Sequence, residues 1–403
     1  MSTEDTNTPG EQSSGTSAPQ NAQSAKGAGS GSGAKTAVAV VAAAALAGTA
    51  GFLVANSTGG DGGTGGGAAA GGSGEAAQTV SQVEVAGESR GLDGVHQEEP
   101  LVTTDWLAER LEEGDLHEQG IVLLDVSEDL PSSELTPYSE AHIPQAQYVE
   151  WSEAFTQPNT REFVSQDEFT ELAQSLGIDD DTTVVLYGDN NNWFAAYAAW
   201  VFNLYGAEDV RLLDGGLHKW EVYDERELVE EVPDVPEGSF EAQPQNLDIR
   251  ALQPEVLEIA EENAEADGEN VGERNLVDIR FQEEFDGEVG ADPELFEGEG
   301  ASIWGHIPGA VNVPWGEIVD SETGEFLSEE EIREVYEEAG VDFSKPTIAY
   351  CRIGERASHT WYALSQILGE DVKVYDGSWS EWGNSVGVPV ANNTGERGGI
   401  WGG

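Results

Sequence analysis

The fold is decided by two stretches, "TTVVLYGDNNNWFAAYAAWVFNLYGAEDVRLLDGGLHKW" (182–220) and "PTIAYCRIGERASHTWYALSQILGEDVKVYDGSWSEW" (346–382). Both follow one plan. Each begins with an apolar run that ends in tyrosine, and a polar turn then leads into an aromatic-rich segment of helical character. A glycine, Glu-Asp-Val and a short apolar run come next, and Asp-Gly and a tryptophan close the stretch.

The pairing continues upstream of these stretches. "IVLLDV" (121–126) matches "NLVDIR" (275–280), and "AHIPQAQYVEW" (141–151) matches "GHIPGAVNVPW" (305–315). Matches that occur in the same order over such a length indicate an internal duplication.

Each copy alternates short apolar runs with helical patterns. The runs lack polar alternation, as strands of a parallel sheet do when they are buried on both faces. Ser165 and Ser328 each precede a helical pattern with glutamate three residues later, which predicts capping boxes. The predicted fold class is α/β: two tandem three-layer α/β/α domains with central parallel sheets, at 98–235 and 247–395, joined near 230–246.

The charge of the chain is strongly negative. The net charge is −61, from 78 acidic and 17 basic residues. This excludes nucleic acid as a default partner, because phosphate neutralisation needs clustered lysine and arginine. Core-forming residues accompany the acids, so we interpret the charge as a halophile-type surface; an acidic surface for a binding partner is the alternative. The single cysteine excludes an internal disulfide and a cysteine-rich zinc site, and the six histidines show no metal-ligand spacing.

The N-terminal part of the chain differs in composition from the rest. Residues 1–36 are predicted to be disordered, and 56–97 are predicted to form a flexible glycine-rich linker. Between them, 37–55 is an uncharged run just long enough to span a bilayer. We therefore expect a membrane anchor, with the catalytic domains outside the cell; a cleaved signal on a secreted protein and a cytoplasmic protein are the alternatives.

The one cysteine, Cys351, lies between a predicted central strand and a predicted helix. In open α/β sheets this edge, at the carboxyl ends of the strands, is where ligands bind. Gly354 permits a tight turn, and Arg352 and Arg356 bring positive charge. Backbone amides, a helix N-terminus and two arginines together predict a lowered thiol pKa and an anion site beside the sulfur.

The first copy serves as an internal comparison. When Tyr187 is aligned with Tyr350, Gly188 falls opposite Cys351, and the turn there, "GDNNNW", has neither nucleophile nor arginine. The fold itself therefore does not require cysteine at this position.

The second copy resembles the catalytic half of a tandem-domain rhodanese, a thiosulfate sulfurtransferase. The resemblance rests on "CRIGERASHTW" (351–361), "GHIPGAVNVPW" (305–315), "LVDIR" (276–280) and "YDGSWSEW" (375–382). The first copy is similar to the inactive half of the same enzymes, and the resemblance covers about 98–392.

The resemblance implies that Cys351 takes the sulfane sulfur of thiosulfate as a persulfide and passes it to cyanide or a thiol. It implies substrate binding by Arg352, Ile353, Gly354, Glu355, Arg356 and Arg280. Asp278 is implied as a supporting residue that orients the loop. No metal or organic cofactor is implied, and no general base either, so we assign His359 to packing or solvent contact and His306 to capping a turn. The family's loop commonly ends in Val-Thr, where this chain has Glu355-Arg356.

Two other functions stay open. A cysteine phosphatase of the same fold needs five residues between its cysteine and arginine, whereas Arg356 follows Cys351 after only four. A non-catalytic sulfur carrier or binding module is the other alternative. The resemblance, together with the loop that is one residue shorter, therefore favours a sulfurtransferase that uses a small-molecule sulfur donor and a thiophilic acceptor.

Overall fold

The computed structural model describes residues 87–92, 94–128, 135–291, 299–396 and 398–401. They belong to one compact unit, Thr79–Gly403. The segments 1–36 and 37–55, and residues 56–86 of the predicted linker, lie outside the described residues.

The described strands form two five-stranded sheets and one two-stranded sheet, and every pairing is parallel. The strands are β1 (Gly87–Glu88), β2 (Leu101–Val102), β3 (Ile121–Asp125), β4 (Gln147–Tyr148), β5 (Thr183–Tyr187), β6 (Val210–Leu213), β7 (Gln245–Asn246), β8 (Arg250–Ala251), β9 (Asn275–Asp278), β10 (Val311–Asn312), β11 (Thr347–Tyr350) and β12 (Val372–Tyr375). The first large sheet has the order β2-β6-β5-β3-β4, and the second has the equivalent order β8-β12-β11-β9-β10. The predicted fold, with its duplication, is confirmed; the bounds 98–235 and 247–395 stay predictions.

Helices connect these strands. The α-helices are α1 (Thr104–Glu113), α2 (Trp151–Ala154), α3 (Gln166–Ser175), α4 (Trp193–Leu204), α5 (Gly216–His218), α6 (Gln253–Glu265), α7 (Gln282–Asp286), α8 (Glu329–Ala339), α9 (Ala357–Trp361) and α10 (Ser378–Trp382). Short 3-10 turns lie at His117–Gln119, Asn190–Asn192, Trp315–Ile318 and Gly399–Trp401, and α5 and α9 continue as π-helical turns over Lys219–Tyr223 and Tyr362–Ile367. Ser165 and Ser328 form the predicted capping boxes at the starts of α3 and α8.

Both faces of each large sheet are covered. Along β3, Val122 and Leu124 belong to one buried apolar cluster, whereas Ile121 and Leu123 belong to another. Since side chains alternate between the faces of a strand, this division means that helices pack on both sides. The first of these clusters is shared by the two repeats, and α4 contacts α9 within it.

The duplication extends to individual hydrogen bonds. The backbone N–H of Ile143 donates to the hydroxyl of Tyr187 at 3.3 Å, and that of Ile307 donates to the hydroxyl of Tyr350 at 3.1 Å. The tyrosine that ends each central strand thus satisfies a buried amide in its own repeat.

The last residues of the predicted linker are packed against the protein. β1 pairs with β7, and Val95 is buried in the shared apolar cluster. Nδ1 of His96 lies 2.8 Å from the carbonyl oxygen of Ser365. Described residues at this end of the predicted linker therefore make strand pairing and apolar contacts, and the linker bounds 56–97 stay a prediction.

The prediction of a membrane-anchored protein facing the outside of the cell is also corrected. Within the described ranges, no helix is both long enough and apolar enough to span a bilayer. The longest of them, α6, has 13 residues, against roughly 20 for a spanning helix. This finding overturns the predicted membrane anchor.

Candidate active site

Cys351 directly follows β11, the middle strand of the second sheet, at its carboxyl end. Residues 351–356 form the loop between β11 and α9. The carbonyl oxygen of Cys351 accepts from the N–H of Trp379 at 3.0 Å, and in the first repeat that of Gly188 accepts from Leu217 at 3.0 Å. Gly188 and Cys351 therefore occupy equivalent positions in the two repeats, as the alignment of the two copies predicts.

The sulfur of Cys351 is enclosed. Its side chain is fully buried, and Sγ accepts a hydrogen bond from the N–H of Gly354 at 3.1 Å. The thiol donates to Oε2 of Glu355 at 3.6 Å. The backbone N–H of Cys351 donates to Oγ of Ser378 at 3.0 Å, which ties the loop to the first residue of α10. The loop thus presents both a donor and an acceptor to the sulfur.

The expected depression of the thiol pKa is not found. Burial raises the pKa of Cys351 to about 11, and the carboxylate of Glu355 adds to the rise, against the lowering effects of Arg356 and the Gly354 amide. Desolvation disfavours the thiolate, and a nearby negative charge does the same. The prediction is corrected because the sequence shows neither the depth of burial nor how close the acidic side chain lies.

Gly354 adopts a backbone conformation that its neighbours require. Its φ is +105°, and an added Cβ would lie 2.7 Å from the backbone of Asp376. Only glycine fits without a shift of the loop, since it has no Cβ.

The guanidinium of Arg352 is held by two carboxylates. Nε and Nη2 donate to the two oxygens of Glu284 at 2.8 and 2.9 Å, and Nη1 donates to Glu299 at 3.2 Å. Arg352 and Glu284 are both buried. This ion pair engages the charge of Arg352 with Glu284 of α7.

Arg356 has a different environment. Its guanidinium carbon lies 5.1 Å from the ring centroid of Trp193, a distance suited to a cation–π contact. Its Nε lies 3.6 Å from Oε1 of Glu355 and has no hydrogen-bond partner among the described residues. Arg356 is buried, so this leaves a buried donor next to the sulfur-bearing loop.

Asp278 and Arg280 form a buried pair at the end of β9. Nη2 of Arg280 lies 2.6 Å from Oδ2 of Asp278 and donates to the carbonyl oxygen of Gly305 at 2.7 Å. The guanidinium also stacks on the ring of Trp379 at 4.5 Å. These contacts support the loop-orienting role more directly than substrate contact by Arg280.

Residues of the first repeat also reach the loop. Nη2 of Arg161 donates to the carbonyl oxygens of Ile353 at 2.9 Å and Asp376 at 3.3 Å. Trp193, described above, comes from the turn that replaces the cysteine loop. Sequence reasoning missed both residues, because nothing local links them to a loop in the other repeat.

The turn of the first repeat holds its shape with asparagine. Asn190, Asn191 and Asn192 have φ of 47°, 54° and 64°. Asparagine is among the few non-glycine residues that tolerate this left-handed region. Oδ1 of Asn192 accepts a hydrogen bond from the N–H of Gly188 at 3.0 Å. A side-chain amide therefore lies inside this turn, which is equivalent to the cysteine loop of the second repeat.

The contacts of the two histidines of the second repeat are those of structural residues. His359 is fully buried and stacks on Phe326 at 4.6 Å, and burial lowers its pKa to about 3. Nδ1 of His306 lies 2.7 Å from the carbonyl oxygen of Phe285. In the part of the chain that the structure describes, no three side chains of the metal-ligating types are grouped to hold an ion.

Comparisons with known proteins give matches to both repeats of the chain. The family model described as "Rhodanese-like domain" matches residues 103–222 and 258–385. The chain is 46% identical over 297 residues to a Saccharopolyspora erythraea protein named "Putative thiosulfate sulfurtransferase", covering 73% of this chain and 97% of that protein. It is 45% identical over 299 residues to the "Sulfur carrier protein TtuD" of Thermus thermophilus, covering 74% and 98%.

A solved structure shares the architecture. The Escherichia coli protein SseA, described as having the rhodanese fold of 3-mercaptopyruvate sulfotransferases, aligns with a TM-score of 0.56 at 29% identity. The alignment covers 70% of this chain and 99% of SseA.

Proposed function

The chain belongs to the rhodanese-like family, with two such domains in tandem, and on that premise we propose that it is a thiosulfate sulfurtransferase with Cys351 as nucleophile. One observation carries the proposal. The only cysteine lies at the carboxyl end of the middle strand of the second sheet, in a loop that directs the Gly354 N–H to its sulfur.

The reaction proceeds in two half-reactions. Sγ of Cys351 attacks the sulfane sulfur of thiosulfate, a new S–S bond forms, and sulfite leaves with the electrons of the old one. A thiophile such as cyanide or a thiol then attacks the outer sulfur of the persulfide and releases Cys351. Covalent catalysis of this kind divides one sulfur transfer into two displacement steps and gives ping-pong kinetics.

The loop residues have separate roles in this proposal. The N–H groups of Ile353, Gly354 and Glu355 line the persulfide, and the unpartnered Nε of Arg356 binds the sulfite part of the donor. Arg352 and Arg280 contribute to substrate binding by positioning the loop, since carboxylates hold both guanidinium groups. Asp278 holds Arg280 in place.

A sulfur carrier is the second candidate. The resemblance to a relative named as a sulfur carrier favours it, and its loaded state would be the same persulfide. Turnover separates the two functions, because an enzyme forms many molecules of thiocyanate per chain and a carrier passes one sulfur to a partner protein.

Intact-mass spectrometry tests the proposal directly. The purified protein, kept in molar salt and treated with thiosulfate, should gain about 32 Da, one sulfur on one thiol. Added cyanide should remove that mass and yield thiocyanate over many cycles. Cys351→Ser should gain nothing. A wild-type protein whose mass does not change would contradict the sulfurtransferase and the carrier alike.

A further inference from the structure

The proposed chemistry requires a thiolate, yet the surroundings of Cys351 favour the thiol. The side chain is fully buried, and the nearest described ionisable group that it contacts is a carboxylate. A buried thiol that reacts at neutral pH needs a group to remove its proton as the new bond forms.

Glu355 is placed to accept that proton. Its Oε2 lies 3.6 Å from Sγ of Cys351, in the hydrogen bond that the thiol donates. Its Oε1 lies 3.6 Å from Nε of Arg356. The carboxylate therefore bridges the sulfur and the guanidinium, and at 4% exposure it is closed off from bulk water.

We propose that Glu355 accepts the Cys351 proton when the sulfur is loaded and returns it when the sulfur is discharged. This inference rests on the proposed sulfurtransferase function and adds a proton-transfer residue to it.

The steps balance for atoms and charge. In loading, the S–H proton moves to Oε2 of Glu355, the electron pair of the sulfur forms the bond to the sulfane sulfur, and sulfite leaves with the pair of the broken S–S bond. In discharge, a thiolate or cyanide takes the outer sulfur, and Cys351 leaves with the bonding pair. The carboxyl proton of Glu355 then returns to Sγ, which restores the starting state.

The electrostatics suit a proton acceptor. Burial raises the pKa of Glu355, Glu299 adds to the rise, and Arg356 opposes it. A raised pKa brings the carboxylate closer to the basicity that proton transfer near neutral pH requires. Glu128 of the first repeat is close enough to Glu355 for the two charges to interact; burial and the charges of Asp189 and Glu355 raise the pKa of Glu128 to about 7.

The closing experiment measures the single-turnover rate of persulfide formation by quenched-flow mass spectrometry at about pH 7 in molar salt. Glu355→Gln keeps the shape and cannot accept the proton, so the rate should fall about 10²-fold or more, the range of general base catalysis. Glu338→Gln removes the same charge from an exposed site on α8 and should load at the wild-type rate. The deficit of Glu355→Gln should shrink as pH rises, because hydroxide then deprotonates the thiol.

The opposite result has a clear physical meaning. If Glu355 only repelled the thiolate, Glu355→Gln would lower the thiol pKa and load sulfur faster. A rate equal to or above that of the wild type therefore overturns the inference while the proposed function stands. A wild-type protein that takes no sulfur overturns both. Glu355→Asp, with a shorter reach, should lose about tenfold, and it decides the matter if Glu355→Gln does not fold.

Discussion

Two arginines of one loop, Arg352 and Arg356, illustrate how surroundings determine the role of a residue. Both follow Cys351 closely in sequence, and both are buried. Arg352 is bidentate with Glu284, whereas Nε of Arg356 has no hydrogen-bond partner in the described ranges. The first makes two hydrogen bonds to one carboxylate, whereas the second lies 3.6 Å from Oε1 of Glu355 without a hydrogen bond at its Nε and so keeps that donor for a ligand.

This difference predicts different losses on truncation. Arg352→Ala leaves Glu284 buried without its cation, so the free energy of unfolding should fall by about 3 kcal/mol. Arg356→Ala should slow sulfur loading from thiosulfate much more than it lowers the melting temperature. Thermal unfolding and loading rates of the two variants, side by side, test this.

Two further results complete the comparison. Arg352→Met combined with Glu284→Leu should regain much of the lost stability, because it removes both charges together. Equal losses of loading and of melting temperature in Arg356→Ala would contradict a substrate role for that residue.

At the scale of elements, the loop from β11 to α9 is held from several sides. Oγ of Ser378 accepts a hydrogen bond from the N–H of Cys351, and the backbone of Asp376 packs against Gly354. Arg161 of the first repeat donates a hydrogen bond to the carbonyl oxygen of Ile353. The loop therefore depends on the segment that follows β12 and on the neighbouring repeat.

Gly354→Ala should disrupt this element. The new Cβ would meet the Asp376 backbone at 2.7 Å with φ at +105°, so the loop must shift and the amide that faces the sulfur moves with it. We expect a loss of about 3 kcal/mol in the free energy of unfolding and near-complete loss of persulfide formation. Denaturant unfolding and intact mass measure the two effects.

Gly369→Ala is the matched control for this substitution. Gly369 also has a positive φ, of +70°, but an added Cβ would meet no atom within 4 Å. It should therefore show only the conformational cost of about 1 kcal/mol and load sulfur normally. Equal behaviour of the two variants would show that crowding by Asp376 is unimportant.

At the scale of the whole molecule, charge is the dominant feature. A net charge of −61 on 403 residues repels itself in the compact state. Screening shortens the range of that repulsion from about 10 Å at 0.1 M salt to about 3 Å at 1 M.

The melting temperature should therefore rise with potassium chloride. The rise should be steepest below about 0.5 M, where the screening length changes most. If salt acted only through its exclusion from the protein surface, the melting temperature would instead rise gradually over the whole range of salt concentration. The shape of the curve therefore distinguishes the two mechanisms. A melting temperature that does not depend on ionic strength would contradict the interpretation of a halophile-type surface.

Much of the architecture could be predicted from the residues alone. Matching stretches revealed the duplication, apolar runs without alternation predicted parallel sheets, and Ser165 and Ser328 marked the starts of two helices. These features are local or repeated, so periodicity and capping express them directly. The position of Cys351 after a central strand followed from the same patterns, and so did its pairing with Gly188.

Only the tertiary structure decided the electrostatics of the site. Glu284 pairs with Arg352 across 68 residues of chain, Arg161 and Trp193 arrive from the other repeat, and burial beside Glu355 raises the thiol pKa to about 11. Desolvation and long-range pairing depend on which surfaces meet, and no local pattern encodes that. The sequence by itself therefore determined where the sulfur lies, and packing decided which groups surround it and which of them can take its proton.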